Sequence, residues 1–105
     1  MRVLEFDVNG QNISKSKNCD FSGIVPGSDG YLKARFTFSN DWSGMVKVAE
    51  FRTYASSEPV SVPITNNECM VPSEVTGGDK WYVKVIGKKG DVIIPTGNCR
   101  VRQEG

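Results

Sequence analysis

Between Leu32 and Phe38 the side chains alternate without interruption: Leu32, Ala34, Phe36 and Phe38 are apolar, and Lys33, Arg35 and Thr37 between them are polar. Successive side chains of an extended chain point to opposite sides, so a period of two marks a strand with one apolar and one wetted face. Such a strand cannot stand alone, and the rest of the chain has to supply the surface that covers it. Asn40-Asp41-Trp42-Ser43-Gly44 breaks the pattern and reads as a corner, after which residues 45–54 resume as a strand. There Val46 and Val48 alternate with Lys47 and are expected on the inner face. Phe51 falls out of phase with them, which predicts a β-bulge near Ala49-Glu50.

The same period recurs along the chain. Leu4, Phe6 and Val8 share one face, with Glu5 and Asp7 on the other. Asn9-Gly10, a pair that tolerates φ above zero at both positions, predicts a hairpin returning through residues 11–14 with Ile13 inward. Residues 15–30 are irregular and predict a crossing loop with a short edge strand. Ala55-Ser56-Ser57-Glu58 is a polar turn. Val60, Val62 and Ile64 form the inner row of the next strand, and Pro59 and Pro63, which lack amide hydrogens, place it at an edge. Thr65-Asn66-Asn67-Glu68 turns the chain into Cys69-Met70-Val71, and Pro72 then opens a single helical turn over Ser73-Glu74-Val75.

Trp81, Val83 and Val85 alternate with Tyr82, Lys84 and Ile86, residues 87–90 form a tight basic turn, and residues 91–94 and 98–102 complete the sheet. Gln103-Glu104-Gly105 is a frayed end. No apolar pattern at helical spacing persists long enough for a buried helix. Together these elements predict one all-β domain over residues 1–105: an antiparallel β-sandwich of seven to eight short strands, with a small barrel as the other closure of the same pattern.

Thirteen Lys and Arg against twelve Asp and Glu leave a formal net charge of +1, so no overall field draws in nucleic acid or anionic lipid. Nucleic acid is therefore disfavoured as the main ligand. The first residues lack the apolar run of a signal peptide and no apolar segment approaches membrane-spanning length. No membrane partner is expected, and a reducing cytoplasm is the expected place of synthesis. Cys19, Cys69 and Cys99 are odd in number and widely spaced, and they are expected to be reduced thiols packed as small apolar groups, with a single bridge and one Cys left over as the other reading.

With no His in the chain, Ser-His and Cys-His arrangements are excluded, and the chain is not expected to be an enzyme. Asp41 beside Trp42 and Asp79 near Trp81 each set a carboxylate next to an aromatic that could line a sugar site. Both lie in turns, where a short carboxylate more commonly caps backbone amides. Trp42 is expected to close one end of the core over Phe36 and Phe51, with an exposed interface anchor as the other reading. Asp20, Asp29 and Asp91 lack the spacing of a calcium loop, and Gly77-Gly78 lacks the Lys-Ser or Lys-Thr that follows a phosphate cradle. No metal or cofactor is expected. Lys80, Lys84, Lys88, Lys89, Arg100 and Arg102 gather in the last third around Trp81 and Tyr82, in the one pattern that looks like a single-strand nucleic-acid surface. Alternation puts Trp81 with the core. It leaves Tyr82, Lys84, Arg100 and Arg102 on an outer face, where they are the candidate interface for a protein partner.

The run Phe36-Thr37-Phe38-Ser39-Asn40-Asp41-Trp42-Ser43-Gly44, followed by Lys47-Val48-Ala49-Glu50-Phe51, resembles a pattern of small structural proteins of phages that infect Gram-positive bacteria. In those proteins F-x-F-S, D-W-x-G and K-x-A-x-F recur. Asn67-Glu68-Cys69-Met70-Val71-Pro72-Ser73-Glu74-Val75, Val83-Lys84-Val85-Ile86-Gly87 and Ile94-Pro95-Thr96 stand in the order that pattern has, so the resemblance covers residues 30–103. It departs at Pro95-Thr96-Gly97-Asn98, where Thr-Asn is usual, which leaves that turn open. The resemblance implies an immunoglobulin-like or jelly-roll-like module of the virion: a capsid fibre or decoration protein, or an anchoring domain of a baseplate or receptor-binding protein. It implies attachment, supplies no catalytic position, and makes a capsid, tail or baseplate subunit the expected partner. Homo-oligomerisation or docking on a repeated lattice is the expected mode. The alternatives are a phage-encoded inhibitor that binds a host protein, and a carbohydrate- or nucleic-acid-binding β module.

Overall fold

Alternating strands need a second sheet to cover their apolar sides, and the chain supplies one. The computed structural model describes residues 1–56 and 58–104. Ser57, in the expected polar turn, and Gly105, at the expected frayed end, lie outside the described residues. Among these residues are nine strands: β1 (Arg2–Asn9), β2 (Asn12–Lys15), β3 (Leu32–Phe38), β4 (Val46–Arg52), β5 (Val60–Pro63), β6 (Glu68–Met70), β7 (Lys80–Lys89), β8 (Val92–Pro95) and β9 (Cys99–Arg102). Short 3₁₀ turns occupy Asn40–Trp42 and Ser73–Val75, the second with Pro72 at its N-cap. One sheet has the order β2-β1-β3-β6 and the other β5-β4-β7-β8, with β9 also paired to β7. Their inner faces share one apolar core. The fold is the expected all-β sandwich, with nine strands where seven or eight were counted. Among the described residues no helix is long and apolar enough to cross a membrane.

One pairing departs from the antiparallel rule. β1 and β3 run parallel, from Arg2 opposite Leu32 to Val8 opposite Phe38. Parallel neighbours need a long crossover, which residues 16–31 provide. The expected edge strand does not form there; the segment is held by side chains instead. Arg2 donates to the carbonyls of Asp20 and Ser22 at 3.0 and 2.6 Å, Thr76 Oγ1 donates to Ser28 at 2.6 Å, and Ile24 is buried in the core.

Turn chemistry and strand phase also depart from expectation. Asn9 pairs with Asn12, so the first hairpin loop is Gly10-Gln11, one residue later than the Asn-Gly reading. Only Gly10 there has positive φ, at +58°, which is the turn type with glycine at the first central position. The basic turn shifts similarly, because β7 runs through Gly87 and turns at Gly90, φ +60°. No bulge interrupts β4, whose register is continuous against β7 from Val46 to Arg52 and against β5 from Val48 to Phe51. Ala49 and Phe51 therefore form the inner row, and Val46 and Val48 face outward. Lys47 shares the inner phase at the sandwich end, its Nζ 4.9 Å from the Phe38 ring centre and 3.3 Å from the Met45 carbonyl oxygen.

Two tryptophans anchor the core, each fully buried. Trp42 lies against Phe38, with ring centres 5.3 Å apart, and over Gly87, rather than over Phe36 and Phe51. Its indole N–H donates to the Gly10 carbonyl at 2.9 Å and so ties the corner to the first hairpin. Trp81 packs on Phe51 at 5.7 Å and donates to Gln103 Oε1 at 3.1 Å. Burying a large apolar side chain contributes about 1.5–3 kcal/mol, so these sites carry much of the fold.

Gln103 is itself buried, and its Nε2 donates to the carbonyls of Thr76 and Gly78. Its amide donates to Asp79 and that of Glu104 donates to Ile24, both at 2.7 Å. The segment expected to fray is thus fastened as far as Glu104. Thr96 closes a second gap: β9 pairs with Lys80–Val83 of β7 and β8 with Ile86–Lys89. Between them the Thr96 amide donates to the Val85 carbonyl, while Thr96 Oγ1 accepts from the Val85 amide at 2.9 Å.

Candidate interaction face

β7 is the central strand of its sheet, and its outward row is Lys80, Tyr82, Lys84, Ile86 and Lys88. Antiparallel pairing sets Val46, Val48, Glu50 and Arg52 of β4 opposite Lys88, Ile86, Lys84 and Tyr82, and sets Arg100 and Arg102 of β9 opposite Tyr82 and Lys80. The four residues expected to form an interface, Tyr82, Lys84, Arg100 and Arg102, therefore share one outer face. Tyr82 and Arg100 are direct cross-strand partners there.

The face has two ends joined by an ion pair, Lys84 Nζ to Glu50 Oε1 at 3.8 Å, with Arg52 at 4.0 Å from the same carboxylate oxygen. One end is aliphatic. Val46 is 74% exposed and Ile93 61%, and an open groove of about 840 Å³ runs past Val46, Val48, Glu50, Ile86 and Lys88. The other end is aromatic and cationic. The Tyr54 and Tyr82 ring centres lie 6.4 Å apart, Lys80 Nζ stands 5.4 Å from the Tyr54 ring centre, and a depression of about 280 Å³ is lined by Arg52, Tyr54, Tyr82 and Asn98. Arg52 Nε is buried there without a hydrogen-bond partner.

Several sequence-derived candidates lie elsewhere. Trp81 points into the core and cannot stack on a ligand, so the aromatic that joins Tyr82 is Tyr54, which the sequence reading placed only at a strand end. The valines of the groove were expected inside. Their one sequence signal was the phase conflict with Phe51, which resolves as outward valines. Asp41 and Asp79 are exposed at turns, and the aspartate whose carboxylate closes a turn is Asp20, accepting from the Ser22 amide and hydroxyl at 2.8 and 2.6 Å. Those bonds hold its acid below the usual carboxylate range. Among the described residues no group of three or more Asp, Glu or Cys side chains gathers at a metal-sized site.

The opposite outer face is electrostatically closed. Glu68 accepts from Arg35 at 2.7 Å and lies 3.3 Å from Lys33, and Glu5 lies 3.8 Å from Arg35. The Arg35 and Lys33 contacts hold the Glu68 acid below its ordinary range. Of the three free thiols, Cys69 and Cys99 are buried and Cys19 is half-buried. Burial pushes Cys69 up to about 12 and raises Cys99, so both are poor nucleophiles at neutral pH.

No protein-family model matches the chain, and comparison with curated proteins gives no match.

Proposed function

We propose that the chain is a non-enzymatic attachment module of a phage virion, working by protein–protein contact through the outer face of its five-stranded sheet. The observation that carries this reading is the aliphatic groove on that face. A strand's outer side is ordinarily polar, yet β4 turns Val46 and Val48 outward beside Ile86, and exposed Ile93 extends the apolar strip. The molecule measures 41 × 31 × 21 Å, so a broad face suits the roughly 800 Å² per partner of an ordinary specific interface. The phage assignment rests on the motif resemblance, whose Asp41-Trp42-x-Gly44 element builds the corner that packs on Gly87.

A small module of this kind acts in many copies or on a lattice, as a capsid, tail or baseplate accessory. Mass spectrometry of purified particles, with sedimentation of the isolated chain, tests the reading. The expected result is the chain in the particle, and either an oligomer or a complex with a capsid, tail or baseplate subunit. A monodisperse monomer absent from particles would overturn it, and absence combined with capture of a host protein would favour an inhibitor. The Tyr54–Tyr82 pair beside Lys80 favours a second reading, carbohydrate or nucleic-acid binding. Replacing Tyr82 and Lys84 together should abolish such binding while leaving the fold intact, and unchanged affinity removes that reading.

A further inference from the structure

A formal net charge of +1 conceals an uneven distribution. The outer face of the five-stranded sheet carries Arg52, Lys80, Lys84, Lys88, Arg100 and Arg102 against Glu50 alone among the described residues. Six cations and one carboxylate leave five net positive charges on this face, so the rest of the chain carries four net negative ones. On the other sheet Glu5, Asp7 and Glu68 meet Lys33 and Arg35, and most of these are already ion-paired. Over the roughly 8 Å that a charge is felt at physiological salt, one face is near neutral and the other strongly basic.

Resting on the reading that this face docks protein, we propose that its partner is an acidic protein surface with a protruding aliphatic or aromatic side chain. That side chain seats in the groove between Val46, Val48 and Ile86, and the carboxylates around it meet Lys88, Arg100 and their neighbours. Charge complementarity selects the sign of the partner, and the groove selects its class. A nucleic-acid strand needs a cationic track with stacking aromatics along its length. Here the aromatic pair lies at one end only, and the larger groove is lined by aliphatic carbon that a phosphate backbone would leave unfilled. A second copy of this chain fits poorly as well. A two-fold pairing sets five positive charges against five, and on the opposite sheet Glu5 and Glu68 are already engaged by Lys33 and Arg35, which leaves Asp7 alone to meet them.

The test uses the ¹⁵N-labelled chain and four probes: a synthetic Glu-rich peptide with central Leu and Trp, the same peptide with Ser for Glu, the same with Lys for Glu, and a thymidine oligonucleotide of about a dozen nucleotides. The acidic peptide is expected to shift the amide signals of Val46, Val48 and Ile86, and to bind about ten-fold more tightly than the Ser peptide. Its affinity falls several-fold between about 50 and 300 mM salt. The double variant Lys88→Glu, Arg100→Glu, at two exposed positions, should lose about ten-fold in affinity with an unchanged circular-dichroism melt. Equal binding of the Ser and Glu peptides in the groove overturns the acidic partner while leaving protein docking in place. Tighter binding of the oligonucleotide, or no shift on this face from any probe, removes both readings. Self-association of the free chain that the double variant abolishes replaces the acidic partner with a second copy.

Discussion

Trp42 lies over Gly87 so closely that no side chain fits between them: a β-carbon at position 87 would stand 2.7 Å from Trp42 Cζ3 and 2.8 Å from Met45 Sδ. The φ of Gly87 is not positive, so here glycine serves space and not backbone freedom. Gly87→Ala is expected to cost about 1–3 kcal/mol, because a buried indole ring cannot yield as a flexible chain end would. Gly97→Ala, where nothing lies within 4 Å, is the control and should change little. Urea titration of both variants checks the contrast.

Gln103→Leu keeps the bulk of the side chain but removes the acceptor of the Trp81 indole and the donors to Thr76 and Gly78. Unsatisfied buried groups cost more than the hydrogen bonds themselves contribute, and a loss of about 3 kcal/mol is expected. Denaturant titration measures it. A downfield indole N–H signal of Trp81 in the parent that moves in the variant would locate the effect.

At Thr96 the hydroxyl stands in for a strand by accepting from the Val85 amide. Thr96→Val strands that buried amide and should cost about 1–3 kcal/mol. Thr96→Ser retains the oxygen and should cost less than half as much. Amide exchange at Val85 should accelerate in the valine variant only.

The thiols make stability depend on alkaline pH. Cys69 has a folded pKa of about 12 against an ordinary value of 9.0, so the unfolded chain loses this proton first. The stabilisation is fully present below pH 9 and is lost as pH climbs from there toward 12, with Cys99 acting in the same direction. Cys69→Ala should flatten that part of the stability–pH profile, even though it lowers stability at neutral pH. Labelling of the native chain with a thiol reagent at pH 8 should modify Cys19 well ahead of the buried pair, and denaturant should equalise all three. Early modification of Cys69 would contradict the burial.

How far the fold could be read from the chain depends on which residues state their own phase. In β1, β3 and β7 every buried position is apolar and most outward ones are polar, so Leu4, Phe36 and Trp81 announce their side. β4 inverts the rule, with valines outside and Lys47 in the inner phase, and alternation alone then points the wrong way. The same inversion hid half of the candidate interaction face: Tyr82, Lys84, Arg100 and Arg102 followed from β7 and β9, while the groove valines were assigned to the core. Neighbour relations were out of reach for a different reason. Nothing local in β1 distinguishes a parallel from an antiparallel partner, and nothing in Gln103 names carbonyls about 25 residues away.

The parallel pairing of β1 with β3 also sets a clock. Each of its rungs joins residues 30 apart, and β4 must find β7 across a comparable or longer gap, so few native contacts reward the chain early. Only short hairpins such as those at Gly10 and Gly90 close locally. Folding should therefore run on the millisecond-to-second scale of high-contact-order β proteins. During that interval the apolar sides of β1 and β3 stand uncovered, and copies of the chain made together have to be kept apart until the second sheet arrives.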